Sequence, residues 1–215
     1  MLQKVKRRRK AAEIRPRDRL SSEDWVQAAK RELIARGIAF VKVGRLARAL
    51  RVTRGSFYWH FGSHRELLRD LLEDWESTNT YPFERLLPTE GDFDGLAAFD
   101  KVINLWVEER EYSPAFDTAV RDWARNSKEA ALAVRSADQR RIAVLRRIYL
   151  NLGYSDPDAL VRARITYFHQ VGYYALTIDE TPEERQALVA VYTRALLGSV
   201  GDELPATARR TKRIS

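Results

Sequence analysis

Residues 42–61 read KVGRLARALRVTRGSFYWHF. Within these twenty residues two short helical patterns flank a tight connection. Val43, Leu46, Ala47 and Leu50 recur at helical spacing and predict a short helix over about 43–50. Arg51 to Arg54 makes a four-residue connection, and a further helix is expected at about 55–60. That second segment places cationic, hydroxyl and aromatic groups side by side: Arg54, Ser56, Tyr58, Trp59 and His60. Phe57 and Phe61, four residues apart, share one helical face and are expected to be its buried side. Three consecutive residues sweep about 200° around a helix, so Tyr58, Trp59 and His60 cannot all join them. At least two of the three should lie outside. The segment therefore reads as a surface suited to phosphates and base edges rather than as core.

The flanking residues complete a small helical domain. Ser21 and Ser22 can each cap a helix, and Ser21 with Asp24 has capping-box spacing. Trp25, Ala28, Ala29, Leu33 and Ile34 form one face of that first helix, and Gly37 is placed to end it. Ser63 opens a fourth helix with Glu66 at the capping-box position, and Leu67, Leu68, Leu71, Leu72 and Trp75 form its buried stripe. Past Pro82 and Pro88, helices are predicted near 94–110, 114–126, 128–152, 157–178 and 182–199. Breaks fall at Ser113-Pro114, at Gly153 with Pro157, and at Thr181-Pro182. Period-two alternation bounded by Asn-Gly or Asp-Gly turns is missing, so the expected class is all-α. The architecture expected is a three-helix helix-turn-helix domain followed by a larger helical domain.

Composition narrows the function classes. A chain of 215 residues with 45% apolar content has room for one large or two small domains. It has no cysteine, which removes disulfides, thiolate metal sites and thiol nucleophiles. No run approaches the ~20 apolar residues of a membrane span, and no secretory signal follows the basic N-terminus. No membrane association is expected, and a cytoplasmic location is. Charge is unevenly spread: residues 1–62 hold 17 Lys/Arg against 5 Asp/Glu, whereas 63–215 hold 21 against 25. Without the basic tail residues Arg209, Arg210, Lys212 and Arg213, the region 63–208 has a net charge of −8. A positive headpiece on an acidic body suggests a polyanion-binding module. The expected division is a flexible basic arm (1–20), a helix-turn-helix domain (21–66, motif 42–61), a helical effector-binding and dimerisation domain (67–204) and a basic flexible tail (205–215). The arm can enter a minor groove, raise association rates through phosphate attraction, or be an inert solvated tail.

Residues 22–75 resemble the N-terminal domain of the TetR family of bacterial regulators. The resemblance is carried by Gly37, Leu46-Ala47, Val52-Thr53, Arg54-Gly55, the run Phe57-Tyr58-Trp59-His60-Phe61, and Ser63 opening a long helix. It implies a DNA-binding transcriptional regulator, most simply a repressor, that binds a palindromic operator on double-stranded DNA as a homodimer. The residue before the second helix, here Lys42, would contact phosphate. Arg54, Gly55 and Ser56 would meet base edges, with Arg54 the candidate for a bidentate guanine contact. Tyr58, Trp59 and His60 would touch phosphates, sugars or a thymine methyl, and Arg45 could reach backbone or base, with Arg48 a further phosphate candidate. Three positions depart from the family pattern. Arg51 stands where the family often has Gly, His64 where it frequently has Lys to grip a phosphate, and Gly44 where some relatives use a base-contacting side chain.

The resemblance also implies dimerisation through the last two helices, and residues 157–199 carry apolar positions at helical spacing, including Leu160, Ile165, Phe168, Val171, Leu188, Val191 and Leu196. It implies a small-molecule effector site in the body as well. Candidate pocket residues are Trp106, Phe116, Trp123, Tyr149, His169 and Tyr173, although aromatic stripes at helical spacing more often form core. Aromatic walls with few polar groups would suit an apolar or amphipathic effector. No cofactor motif is present, and neither a Gly-rich phosphate loop, an HExxH pair nor a serine elbow appears, so an enzyme is not expected. The alternative is a DNA-binding adaptor whose helical body binds a protein rather than a metabolite.

Overall fold

A computed structural model describes residues 20–176 and 178–198. The basic arm, apart from Leu20, and the basic tail lie outside the described residues, as does the far end of the expected second domain. Ten α-helices are described: α1 (Ser22–Arg36), α2 (Val43–Ala49), α3 (Arg54–Phe57), α4 (His64–Asn79), α5 (Tyr81–Glu84), α6 (Gly95–Glu108), α7 (Pro114–Ala124), α8 (Lys128–Asn151), α9 (Asp156–Ala175) and α10 (Pro182–Leu197). A single 3₁₀ turn, Ile38–Phe40, joins α1 to α2. No strand occurs among the described residues, and no described helix is long and apolar enough to cross a membrane.

The helix ends follow from local chemistry. Ser21 accepts from the Asp24 backbone while the Asp24 carboxylate accepts from the Ser21 backbone, the full capping box. Gly37 then adopts φ 84° and turns the chain out of α1. At α4 the box is shifted: Ser63 caps Glu66, but the Glu66 carboxylate reaches back to the Gly62 N–H at 2.6 Å. Two departures from expectation are local. The third helix is only four residues long, and Tyr58, Trp59 and His60 continue it as a tighter turn with bonds back to Gly55, Ser56 and Phe57. The short helix α5, between Tyr81 and Glu84, stands where no helix was predicted.

Two cores hold the molecule. The first joins Trp25, Leu33, Leu46, Phe57, Leu67, Leu71 and Trp75, and continues through Phe116, Val120 and Trp123 of α7. It therefore crosses the boundary expected at residue 66. Ile34, placed on the buried face by periodicity, is 39% exposed, because it lies at the edge of the stripe. The second core packs Phe83, Phe99, Val102, Trp106, Leu145, Ile148, Tyr149 and Tyr167 from α5, α6, α8 and α9.

A buried polar network joins the two. Asp117 on α7 accepts from Trp75 Nε1 at 3.1 Å, Arg141 Nη1 at 3.0 Å and Arg121 Nε at 2.7 Å. Arg141, 1% exposed, also donates to the Thr80 hydroxyl at the end of α4 and to the Tyr167 hydroxyl on α9. Arg121 bridges Asp138 and Tyr167. Burial alone would raise the Asp117 carboxyl, but the Arg141 and Arg121 cations outweigh it and hold the group below the ordinary carboxylate range. A carboxyl depressed in the folded state stabilises the fold above its ordinary value, about 4, and that contribution is lost as pH falls further.

Removing Asp117 takes from the buried Arg141 its only carboxylate partner among the described residues, and from Arg121 one of two. Asp117→Ala is expected to cost about 3–5 kcal/mol in urea denaturation, whereas breaking the exposed Arg125–Asp122 pair with Asp122→Ala should change stability by about 0.5 kcal/mol or less. Equal losses for the two variants would contradict the role given to the network.

Candidate nucleic-acid interface

The surface is built on a rigid underside. Phe57 is fully buried, edge-on to Trp25 with ring centroids 5.3 Å apart, and stacked on Phe61 at 5.2 Å. Anchoring that pair turns the intervening residues outward. Tyr58 is 65% exposed and Trp59 88%, with His60 half-buried. The division of this run into core and surface is thus the one that helical geometry required.

The connection between α2 and α3 is closed by the Val52 N–H bonding the Ala47 carbonyl at 2.9 Å. To make that turn Arg51 takes φ 59°, the left-handed region. A residue with a Cβ pays about 1 kcal/mol there, which explains why glycine would be the unstrained choice. Arg51 is exposed, and so are Lys42, Arg48 and Arg54. Among the described residues none of these four cations forms an ion pair, although Arg, Lys, Asp and Glu pair extensively elsewhere in the fold. Unpaired cations beside exposed aromatic faces match a partner that supplies phosphates and bases.

The individual site residues are placed as follows. Lys42 is the N-cap residue of α2 and is exposed. Arg54 opens α3, where Gly55 and Ser56 complete the leading turn. The Arg54 guanidinium lies over Gly44: a Cβ on Gly44 would sit 2.7 Å from Arg54 Nε and Nη2. Gly44, an apparent loss of a contact residue in the sequence, therefore makes the room in which Arg54 rests. Arg45 is not free. Its Nε bonds Glu32 of α1 at 2.7 Å, and its guanidinium sits 5.1 Å from the Phe40 ring centroid, so it braces α2 to α1. His64 is likewise engaged, with its Nε2 donating to the Val41 carbonyl at 2.8 Å. This ties the start of α4 to the segment that leads into α2. Neither partnership was legible in the sequence, because the pairs are 13 and 23 residues apart.

In the body, the structure brings Trp106, His169 and Tyr173 onto one cleft between α6, α9 and α10, together with Gln170, Arg185 and Tyr192. Phe116, Trp123 and Tyr149 do not line it. Phe116 and Trp123 face α1 and α4 in the first core, and Tyr149 is fully buried with its hydroxyl bonded to Thr166 at 2.7 Å and to the Leu196 carbonyl. Their stripes are explained by packing. Among the described residues no group of three or more His, Cys, Asp or Glu could hold a metal ion.

Comparison with known proteins agrees with this geometry. Residues 26–71 match the model of the bacterial regulatory proteins of the tetR family. The probable HTH-type transcriptional regulator ArpR of Pseudomonas putida is 32% identical over 78 residues, 36% of this chain and 37% of that protein. The HTH-type transcriptional regulator TtgR, also of Pseudomonas putida, matches with the same identity over the same shares. The match thus spans little more than a third of the length of these curated relatives. Over a longer stretch, the ketosteroid transcriptional regulator KstR2 of Mycobacterium tuberculosis has a similar fold, with a TM-score of 0.62 at 16% identity, covering 82% of this chain and 93% of that one. The N-terminal segment of this chain, residues 26–71, is thus similar to the tetR family of bacterial regulatory proteins.

Proposed function

We propose that this chain is a transcriptional regulator that binds double-stranded DNA as a homodimer, reads a palindromic operator through α3, and acts as a repressor released by a small molecule bound in its body. The observation that carries the reading is the surface from Lys42 to His60, where four unpaired cations and the exposed Tyr58 and Trp59 sit on a fully packed core. A helix of this kind enters a major groove with its leading residues toward the bases. Arg54 is the reader in this account, Lys42 the phosphate anchor, and Tyr58, Trp59 and His60 the grip on the backbone, with Gly55 and Ser56 allowing close approach.

Dimerisation is supported by exposed apolar side chains on the last two described helices. Val161, Ile165 and Phe168 on α9 are 52%, 55% and 60% exposed, and Val191 on α10 is 52% exposed. A stripe of this kind on a folded surface favours a protein partner, and a second copy of the chain is the symmetric solution. The same stripe supports the alternative of an adaptor whose body binds a different protein. Release by a ligand is supported by the attachment of α4, whose first turn is tied to the segment before α2 and whose end is held by Arg141. A change in the body that moves α4 changes the separation of the two recognition helices in a dimer, and with it operator affinity.

The test uses duplexes selected by the full chain from a random library, titrated by fluorescence anisotropy against unrelated DNA. Arg54→Ala is expected to weaken the selected duplex about tenfold or more while leaving unrelated DNA nearly unchanged. Lys42→Ala should weaken both alike and lower the salt slope by about one. Equal losses on both duplexes for Arg54→Ala would remove its reading role. Gly44→Ala drives a methyl group into the Arg54 guanidinium, whose flexible end can move, so folding stability is expected to hold or rise slightly. Selected-duplex affinity should nevertheless fall several-fold, and an unchanged affinity would show that the resting place of Arg54 does not matter.

A further inference from the structure

The cleft between α6, α9 and α10 contains a buried hydrogen-bonding group that the fold leaves unused. Gln170 is 7% exposed, and its side-chain Nε2 has no hydrogen-bond partner among the described residues. A buried amide without a partner has lost its hydration with nothing in return, a penalty that a bound acceptor would offset. We propose that this cleft binds an uncharged, planar, ring-containing molecule that presents a hydrogen-bond acceptor to the Gln170 amide. This rests on the reading that the body carries the effector site, and it assigns that site and the class of its ligand.

The walls set the shape. Trp106 stands on the α6 side, and His169 and Tyr192 lie with ring centroids 4.7 Å apart across α9 and α10. Tyr173 follows one turn beyond His169, with centroids 6.5 Å apart. Flat faces of this kind favour a flat guest by stacking. Ile103 and Val189 add apolar surface.

Charge selects against ions. The one charged residue on the lining, Arg185, is already neutralised: Nη1 bonds Glu109 at 2.5 Å, and Nη2 bonds the Trp106 carbonyl at 3.0 Å and the Tyr174 hydroxyl at 3.1 Å. Its guanidinium also lies 4.7 Å from the Tyr173 ring centroid. His169 is kept on the neutral side by burial. An anionic guest would have to compete with Glu109, and a cationic one would meet Arg185, each after losing its own hydration.

Space is made by α10. The free volume of about 40 Å³ holds only roughly three waters, so a ring must push the walls apart. Among the described side chains of α10 only Thr193 and Leu197 are buried. The helix is fastened near its start by Arg185 and at its end by the Tyr149 and Tyr154 hydroxyls, which donate to the Leu196 and Leu197 carbonyls. Between those fastenings Val189 and Tyr192 are half-buried and free to give way. The helix that moves is also one that bears the exposed dimerisation stripe.

The test is a calorimetric titration of the full chain with 2-acetylnaphthalene, naphthalene and 2-naphthoate, which share a ring system and differ in acceptor and charge. 2-Acetylnaphthalene is expected to bind once per chain, about tenfold more tightly than naphthalene, with 2-naphthoate the weakest. In Gln170→Leu the acceptor advantage should vanish while naphthalene is retained, and the ligand-free variant should melt no lower than the parent because no partner is lost. Val189→Trp fills the cleft and should abolish binding of all three. No binding by any probe, equal affinity for all three, or binding that survives Val189→Trp overturns the proposal. A lowered melting temperature for ligand-free Gln170→Leu also overturns it, since the amide would then be satisfied by water or a neighbouring copy. DNA affinity is measured on the same samples by anisotropy. Failed ligand binding with DNA binding intact counts against this cleft alone, and failed DNA binding counts against the regulator reading.

Discussion

The Asp117 carboxylate is the group on which the relation between headpiece and body depends. Its two oxygens receive Trp75 from α4, Arg121 from its own helix and Arg141 from α8. Taking these charges out of water is unfavourable by several kcal/mol per ion, and the arrangement is tolerable only while every partner is in place. The end of α4 is part of that set through Trp75 and Thr80. Drift of that end would take the Thr80 acceptor from the buried Arg141 and the Trp75 donor from Asp117. The first hydrophobic core, running from Trp25 to Trp123, fixes the same geometry by packing. Packing resists separation of the two halves, and the ionic network resists their sliding.

With α4 held in this way, the headpiece offers its outer face at a set angle. What makes that face chemically unusual is the combination of strain and exposure it tolerates. Arg51 holds a left-handed conformation, and Trp59 leaves nearly all of its indole in water. Neither choice favours the isolated chain. Both are understandable when a polyanion with flat, stackable bases completes the surface. Arg45 and His64 give the contrast: cationic or polar residues of the same neighbourhood that the fold uses as braces, whereas Arg54 and Lys42 form no ion pair among the described residues.

Much of this was legible in the sequence, for physical reasons that can be named. Caps at Ser21 and Ser63 and the turn at Gly37 are local chemistry, readable within four residues. The outward turn of Tyr58 and Trp59 followed from helical geometry once Phe57 and Phe61 were assigned inward. Helix α5 was not legible, because four residues carry less than two turns of periodicity. Periodicity also says that a face is buried without saying against what, so Phe116, Trp123 and Tyr149 read as pocket candidates when they are core. Long-range polar pairs leave no local trace. Arg141 looks like one of several arginines on a solvated face, yet it is almost wholly buried, 61 residues from its Thr80 partner. The Gln170 amide and the Gly44 slot were hidden for the same reason.

The central claim, that the surface from Lys42 to His60 is where DNA sits, is tested most directly by oxidising the tryptophans with N-bromosuccinimide and mapping the products by mass spectrometry. Trp59 is 88% exposed, whereas Trp25, Trp75, Trp106 and Trp123 are each 6% exposed or less, so the free chain should react first at Trp59. With a saturating selected duplex bound, oxidation of Trp59 is expected to slow several-fold while the buried tryptophans are unaffected. A Trp59 that reacts as fast in the complex as in the free chain would contradict the account.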